Sequence, residues 1–578
     1  MIQRQVLILT FVMSLVPLLI TIYLSPYLQT SILIYFKYTL IQFLLIFTGF
    51  IVIIKILMKI NAISTEVTDV SIQKNMKLVL ISIIVSILSS SSQFIRGMGH
   101  PFIWQEGPFG DIHHDVLYRI AQASMLSNHQ VLSTGIFATT FDFGHRLSEI
   151  FLAVFSSISF TEPLKIYFLF QSGTLTTIVL LCFLIGSYIV NKRFSVAALV
   201  CILFGFTLLL ISHINYHEGV RLFNNPPQTL GLALFVLSFS LNLRLISLDV
   251  QNMKHWYRYI FVLTIFSMLV IFSKIHLGFA SAATLCTAIL LSKARSSHKL
   301  WALSIFGSSL LVFGLLVIST TFLYGTDQLA MKSSYIDLKL FLYFILACGV
   351  FFYFYTKKIK YALIYFCFTF PIFIPVWYFP TGGQSTFFMA SILALSVLLL
   401  ASVLPQGIYF KNNNQDQHLI YTDTIGTYAL TISIFLIGLL LYTYPVQKTN
   451  VMKYTREGFV NTNVLLFAIP ELKDVKNTAL LLEYHHLHYQ IPRGKGHQAP
   501  TCRYPFLIYQ SYLKIPVFIN DSLSHIEKCK KISAYGVYSK QVNDRYEVKD
   551  ICKSKEIFNF NSVIRIDKKG NITDRIDC

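Results

Sequence analysis

The sequence predicts an α-helical polytopic membrane protein of about thirteen transmembrane helices, with a small C-terminal α/β or α+β domain. Apolar segments of about 17–25 residues, each long enough to cross about 30 Å of hydrocarbon as a helix, recur along most of the chain. Only 13% of the 578 residues are charged, against roughly 25% in soluble domains. The mean hydropathy is +0.61. These values exclude a cytosolic enzyme and a disordered regulator.

The predicted spans fill most of residues 1–444, which we interpret as a transmembrane bundle. The first span follows Arg4 without a small-residue cleavage site, so we interpret it as a retained anchor. Lys274 and His276 interrupt the apolar sequence near the boundary between two adjacent spans. The predicted spans are residues 6–24, 38–58, 78–95, 166–190, 195–213, 229–247, 259–276, 277–292, 300–323, 338–356, 361–379, 386–404 and 427–444.

Basic residues set the predicted orientation, because cytoplasmic loops of membrane proteins are rich in Lys and Arg. With the N-terminus inside, 17 of the 26 basic residues before position 445 lie on the cytoplasmic side, and nine of the fourteen acids lie outside. Membrane topology therefore explains much of the net charge of +20. No base-reading motif is present, so we exclude nucleic acid as a partner.

An odd number of spans places residues 445–578 outside as an extracytoplasmic domain. The predicted α/β or α+β class of this domain rests on strand-like segments at 464–469, 479–484 and 515–519. A later β-rich piece that ends at the turn 568–571 supports it. An even number of cysteines facing an oxidising compartment favours two disulfides, and three pairings of the four cysteines are possible. The alternative is that the tail is cytosolic and its thiols are reduced. The four cysteines of the tail are Cys502, Cys529, Cys552 and Cys578.

The longest predicted outer loop, residues 96–165, contains Asp111, His113, His114 and Asp115. Apolar residues follow at helical spacing, so Asp111 is expected to precede or cap a helix, with both acids one turn apart at its start. Such a group can take a proton from a hydroxyl or hold a divalent cation such as Mg²⁺ or Mn²⁺. The alternative is a plain helix cap with histidines at the lipid headgroups. Further polar residues of this loop are Asp142, His145, Arg146 and Glu149.

Two other predicted outer loops carry polar residues suited to binding. In residues 215–228, Arg221 could clamp a phosphate, Glu218 could supply a second acid, and His217 lies beside them. An ordinary solvated loop is the alternative. The second loop comprises residues 380–385, in which two glycines precede Gln384 and allow a substrate to approach the backbone closely. The alternative is an ordinary turn.

Lys274 and His276 lie within apolar sequence at the predicted outer end of a span. Ionisable residues at membrane depth usually face a cavity or an interface. Lys274 could therefore neutralise the phosphate of a lipid-linked substrate, with His276 beside it. The alternative is that Lys274 extends to the outer headgroups.

This layout resembles the GT-C superfamily of membrane glycosyltransferases, whose members use sugars carried on polyprenyl phosphate or diphosphate. The resemblance implies that Asp111 or Asp115 acts as base or metal ligand, with His114 and, by position only, Glu218 in the catalytic group. It also implies a glycan or lipid acceptor of the cell envelope at the outer, periplasmic face of the cytoplasmic membrane. The substrate-binding residues would be His113, His217, Arg221, Lys274, His276 and Gln384.

The sequence departs from that family in two ways and leaves other functions open. The acidic motif follows the third span instead of the first, and the tail lacks the Trp-Trp-Asp motif of oligosaccharyltransferases, which argues against protein N-glycosylation. One alternative is a transporter or flippase of lipid-linked or polar cargo, which typically has broken helices and binding residues near the membrane midplane. Another is a noncatalytic protein of envelope assembly.

Overall fold

The fold was analysed in a computed structural model of the chain. It describes residues 32–60, 111–131, 146–191, 226–248, 252–322, 348–351, 359–378, 459–461, 477–483, 515–520, 548–553, 555–566 and 572–578. These residues are mostly helical. Short strands occur after the helical part and at one position within it.

The helices are numbered in chain order. They are α1 Ile32–Lys59, α2 His114–His129, α3 Leu147–Ser159, α4 Pro163–Phe168, α5 Thr176–Asn191, α6 Pro226–Ser247, α7 Met253–Ser273, α8 Ile275–Leu291, α9 Ser296–Ala302, α10 Ser308–Phe322, α11 Ile359–Tyr378, α12 Val548–Cys552 and α13 Lys555–Phe558. π-helical turns join α4 to α5 at Leu169–Leu175 and α9 to α10 at Leu303–Gly307.

Four helical segments are long and apolar enough to cross a membrane: Leu40–Lys59, Pro226–Ser247, Met253–Ser273 and Ser296–Val317. Together with the composition, they identify a membrane protein, as the sequence predicts. Shorter apolar helices of the described residues accompany them. The predicted spans outside the described residues are 6–24, 78–95, 195–213, 386–404 and 427–444, and only 348–351 of the span 338–356 is described.

Seven predicted spans coincide with helices of the structure. One boundary differs, because the chain turns at Lys274 and not between residues 276 and 277. Lys274 alone separates α7 from α8, with an extended backbone at φ −152° and ψ 109°. The seven spans are 38–58, 166–190, 229–247, 259–276, 277–292, 300–323 and 361–379.

Helices α7 and α8 form an antiparallel hairpin with Lys274 at its apex. The hydroxyls of Ser267 and Ser281, each seven residues from Lys274, lie 2.9 Å apart. Gly278 makes the close approach of the two helices feasible, since a Cβ there would lie 2.3 Å from the Cα of Ile271. Small residues at helix contacts let backbones pack closely in membrane proteins.

Helix α6 is almost completely buried and packs against both helices of the hairpin. Polar side chains join the three helices within the apolar core. The Ser238 hydroxyl lies 2.9 Å from that of Ser281, and Asn242 Nδ2 donates to Thr284 Oγ1 at 3.1 Å. Hydrogen bonds of this kind add to packing between helices and fix their register.

The strands are β1 Asp111–His113, β2 Phe459–Asn461, β3 Thr478–Glu483, β4 Val517–Asn520, β5 Ser562–Ile566 and β6 Ile572–Asp577. The last four form a sheet in the order β4-β3-β5-β6, in which β3, β4 and β5 are parallel and β6 is antiparallel to β5. Strands β3 and β4 confirm the strands predicted at 479–484 and 515–519, and β5 and β6 flank the predicted turn. The strand predicted at 464–469 lies outside the described residues.

A disulfide joins Cys552 of α12 to Cys578 at the end of β6. It selects one pair among the alternatives that the sequence left open. The other two cysteines of the tail, Cys502 and Cys529, lie outside the described residues.

The close packing at Gly278 generates a stability prediction. Gly278→Ala should lower the thermal denaturation midpoint of the purified protein, because the new methyl group meets helix backbone and forces the hairpin apart, at a cost of about 1–3 kcal/mol. Gly307→Ala is the matched control, since a Cβ at Gly307 would meet nothing within 4 Å. Equal midpoints for the two variants would contradict the hairpin packing.

Candidate functional site

The acidic segment of the predicted outer loop forms a strand–helix junction. Strand β1 runs antiparallel to β2, with Asp111 opposite Asn461 and His113 opposite Phe459. Helix α2 begins at the next residue, His114, so Asp115 is its second residue. The prediction that Asp111 precedes a helix is confirmed. The prediction that Asp111 and Asp115 share its first turn is wrong, because pairing with a strand far along the chain holds Asp111 in extended backbone.

Helix α2 is tied to α3 by a buried ion pair. Arg119 Nη1 lies 2.5 Å from Glu149 Oε1, and the side chain of Glu149 is 1% exposed against 15% for Arg119. The Ser148 hydroxyl donates to the other carboxylate oxygen of Glu149 at 2.8 Å. A buried charge is costly unless it is paired and hydrogen-bonded, so this arrangement strongly favours one position of α2 against α3.

A second buried contact lies one helical turn further along α2. Arg146, directly before α3, donates a hydrogen bond from Nη1 to Gln122 Oε1. Gln122 and Arg119 are three residues apart and therefore neighbours on the helix surface. The cluster of Arg119, Gln122, Arg146 and Glu149 contains two guanidinium groups and one carboxylate. We name it the clamp cluster.

Arg146 and Glu149 are two of the further polar residues that the sequence places in the predicted outer loop. The structure gives both of them partners that position α2. Arg119 and Gln122 were missed, although a cation and an amide at helical spacing within apolar sequence were a usable signal. Asp142 and His145 lie outside the described residues.

The other end of α2 packs against the C-terminal sheet. Residues 120–125 are all buried, as expected for a helix covered on every side. Met125 and Val131, which follows α2, share one apolar core with residues of β3, β4, β5, α12 and the segment before β5. Those residues are Ala479, Leu481, Phe518, Ile551, Phe560 and Val563. The end of α2 and the C-terminal sheet therefore form one packed unit.

Lys274 lies at the end of the hairpin that contacts the start of α6. The Ser273 hydroxyl donates to the Pro227 carbonyl at 2.9 Å, and a Cβ at Gly231 would lie 3.0 Å from the Cβ of Lys274. Lys274 and His276 are half-buried. The start of α6 thus lies beside Lys274.

The structure describes only some of the predicted site residues. The structure places His113 in β1 and His114 at the first position of α2. No group of three or more metal-ligating side chains occurs within the described residues. The predicted site residues outside the described part of the chain are His217, Glu218, Arg221 and Gln384.

The apolar helices define the class of the molecule as an integral membrane protein. No protein-family model matches the sequence, and no curated protein is significantly similar to it. Its function is therefore inferred from its own residues.

The clamp cluster generates a second prediction. Glu149→Leu should lower the free energy of unfolding by about 2–4 kcal/mol, because it leaves the Arg119 guanidinium largely buried without its carboxylate. Adding Arg119→Met to the same chain should recover part of that loss, since both charges are then removed. Chemical unfolding of the purified protein measures the coupling between the two substitutions.

The exposed ion pair between Arg565 and Asp574, at 3.8 Å, supplies the control. Arg565→Met should change stability by only about 0–1 kcal/mol. If the double variant at Arg119 and Glu149 lost the full sum of its single losses, the two residues would not act as a buried pair.

Proposed function

We propose that this protein is an integral-membrane glycosyltransferase of the GT-C type. It transfers a sugar from a polyprenyl-phosphate-linked donor to a glycan or lipid acceptor of the cell envelope, at the outer face of the cytoplasmic membrane. One observation supports the proposal: two acids bracket the start of a helix that is tied to α3 at one end and packs against the C-terminal sheet at the other.

The proposed base is Asp111 or Asp115, assisted by His114. The carboxylate accepts the proton of the acceptor hydroxyl while the acceptor oxygen bonds to the anomeric carbon of the sugar. The bond from that carbon to the phosphate oxygen breaks, and the phosphate keeps the electron pair. Such a reaction needs groups held within about 0.5 Å of the productive geometry, and the clamp cluster supports this by fixing α2.

The proposed phosphate site contains Lys274, with His276 two residues further on. A cation at a helix-hairpin apex lies where a phosphate on a membrane-bound lipid would arrive, and positive charge stabilises a leaving phosphate. We assign the remaining substrate contacts to His113, His217, Arg221 and Gln384, and a second acid to Glu218. These assignments rest on their positions in the predicted outer loops.

Asp111 and Asp115 offer oxygen ligands of the kind that Mg²⁺ and Mn²⁺ prefer. A bound divalent cation would add positive charge near the departing phosphate. Neither acid requires a metal to act as the base.

The proposed orientation places the C-terminal region outside the cytoplasm, as a domain of residues 445–578. The disulfide between Cys552 and Cys578 supports this, because disulfides persist in the periplasm and other oxidising compartments. Pairing of β1 with β2 then puts the acidic segment on the same outer side. Donor and acceptor would meet at that surface.

The proposal predicts that the acids are required for transfer. In proteoliposomes supplied with radiolabelled polyprenyl-phosphate hexoses and envelope extract as acceptor, Asp111→Asn or Asp115→Asn should lower the transfer rate by about 10²–10⁴-fold, because the base is lost. Transfer of label from the donor to the extract is the measurement. Full activity in both variants would contradict the assignment.

Asp574→Asn provides the matched control, since Asp574 is an exposed acid of β6, which belongs to a different sheet from β1. It should retain full activity.

The same vesicles separate the two alternative functions, a flippase and a noncatalytic assembly protein, from the proposed enzyme. A flippase would move the labelled lipid between leaflets without changing it, and an assembly protein would do neither.

A further inference from the structure

The end of the bundle opposite Lys274 gathers cations from four helices, α6, α7, α9 and α11. Because α7 and α8 form a hairpin, the start of α7 and the end of α8 lie together at that end. The Tyr257 hydroxyl, near the start of α7, lies 3.0 Å from Nδ1 of His298 in α9. This contact joins α9 to the base of the hairpin.

Two lysines reach the last turn of α8. Lys299 Nζ donates to the Leu290 carbonyl at 2.8 Å, and Lys360 Nζ donates to the Leu291 carbonyl at 3.5 Å. A helix C-terminus is electrically negative, which favours lysines beside it. The starts of α9 and α11 are thereby held next to each other.

Arg244, near the end of α6, extends this cationic surface. Its guanidinium lies close enough to Tyr259 and Tyr361 to interact with them electrostatically. Its Nη1 donates to the Ser247 hydroxyl at 3.5 Å, whereas its Nε is buried and has no hydrogen-bond partner. A buried donor without a partner is costly, so the described surroundings do not fully satisfy this guanidinium.

We name these cations the basic collar. Its members are Arg244, Lys254, Arg258, Arg295, Lys299 and Lys360. Between Glu218 and Asp327 the sequence contains one acid, Asp249, which lies outside the described residues. No described carboxylate pairs with a member of the collar. The collar therefore keeps a positive charge that its own described surroundings do not neutralise.

An exposed apolar surface adjoins the collar. Leu300 is 64% exposed and Trp301 is 63% exposed, directly after Lys299 in the chain, and Ile305 in the next turn is 50% exposed. Tryptophan next to lysine or arginine is typical of the boundary between lipid chains and water. Cations beside such a surface match a molecule with an anionic head and apolar chains.

We propose that the basic collar is a binding site for an anionic phospholipid. The phosphate lies on Arg244, Lys299 and Lys360, and the acyl chains lie along Leu300, Trp301 and Ile305. The adjoining apolar surface favours a lipid over a soluble phosphate. The site lies at the opposite end of the α7–α8 hairpin from Lys274, so it is separate from the proposed donor site.

The test uses the full chain in neutral detergent and measures bound phosphatidylglycerol by native mass spectrometry, with phosphatidylcholine as the uncharged comparison. Wild-type protein should retain phosphatidylglycerol selectively. The triple variant Arg244→Gln, Lys299→Gln, Lys360→Gln should bind it roughly 100-fold more weakly, since each basic residue near anionic lipid contributes about 1 kcal/mol.

Two further variants keep the result interpretable. Lys55→Gln with Lys59→Gln removes two exposed cations from α1 and should leave binding unchanged. Arg258→Gln with Arg295→Gln alters only exposed members of the collar, so the fold is retained, and should weaken binding by roughly 30-fold.

Three outcomes would overturn the proposal. The first is unchanged binding in both collar variants. The second is an equal loss in the Lys55 and Lys59 variant, which would indicate a response to total charge. The third is displacement of the lipid by glycerol 3-phosphate at similar concentration, which would indicate a soluble phosphate ligand.

Discussion

The buried ion pair between Arg119 and Glu149 is the constraint on which the placement of the acidic segment depends. Glu149 is almost fully removed from solvent, so its charge requires the guanidinium and the Ser148 hydroxyl that reach it. The pair belongs to α2 and α3, and α2 continues into the core of the C-terminal sheet. Asp115 lies one helical turn before Arg119. A shift of α2 along α3 would therefore move the acidic segment and break the ion pair together.

The α7–α8 hairpin gives the described bundle two chemically different ends. At the apex, Lys274 lies beside the start of α6. At the base, the basic collar surrounds the last turn of α8. The serine, threonine and asparagine contacts between α6, α7 and α8 hold these ends at a fixed separation. On the proposed function, donor chemistry occurs at the first end while lipid at the second anchors the bundle in its leaflet.

Apolar segments were sufficient to predict seven helices. A long apolar segment leaves water whatever it packs against, so its position can be predicted without knowledge of its contacts. The sequence could not predict the turn at Lys274. A single extended residue is enough to connect α7 and α8, because Gly278 lets the two helices pack closely, and one such residue leaves no turn signal in the sequence. Strand β1 was also missed. Three residues carry no periodic signal, and their partner β2 follows much later in the chain. The pairing of Arg119 with Glu149 and the bond between Cys552 and Cys578 are likewise set by tertiary contacts and not by spacing.

On the proposed function, a polyprenyl phosphate binds between the acidic junction and the hairpin apex. The most direct test irradiates the full chain in membranes with a polyprenyl-phosphate analogue that carries a photoreactive group beside the phosphate, followed by peptide mapping. We expect labelling of residues 111–118 and 274–278, with loss of the label when unmodified polyprenyl phosphate competes. Labelling confined to the basic collar, or labelling that the competitor does not reduce, would contradict it.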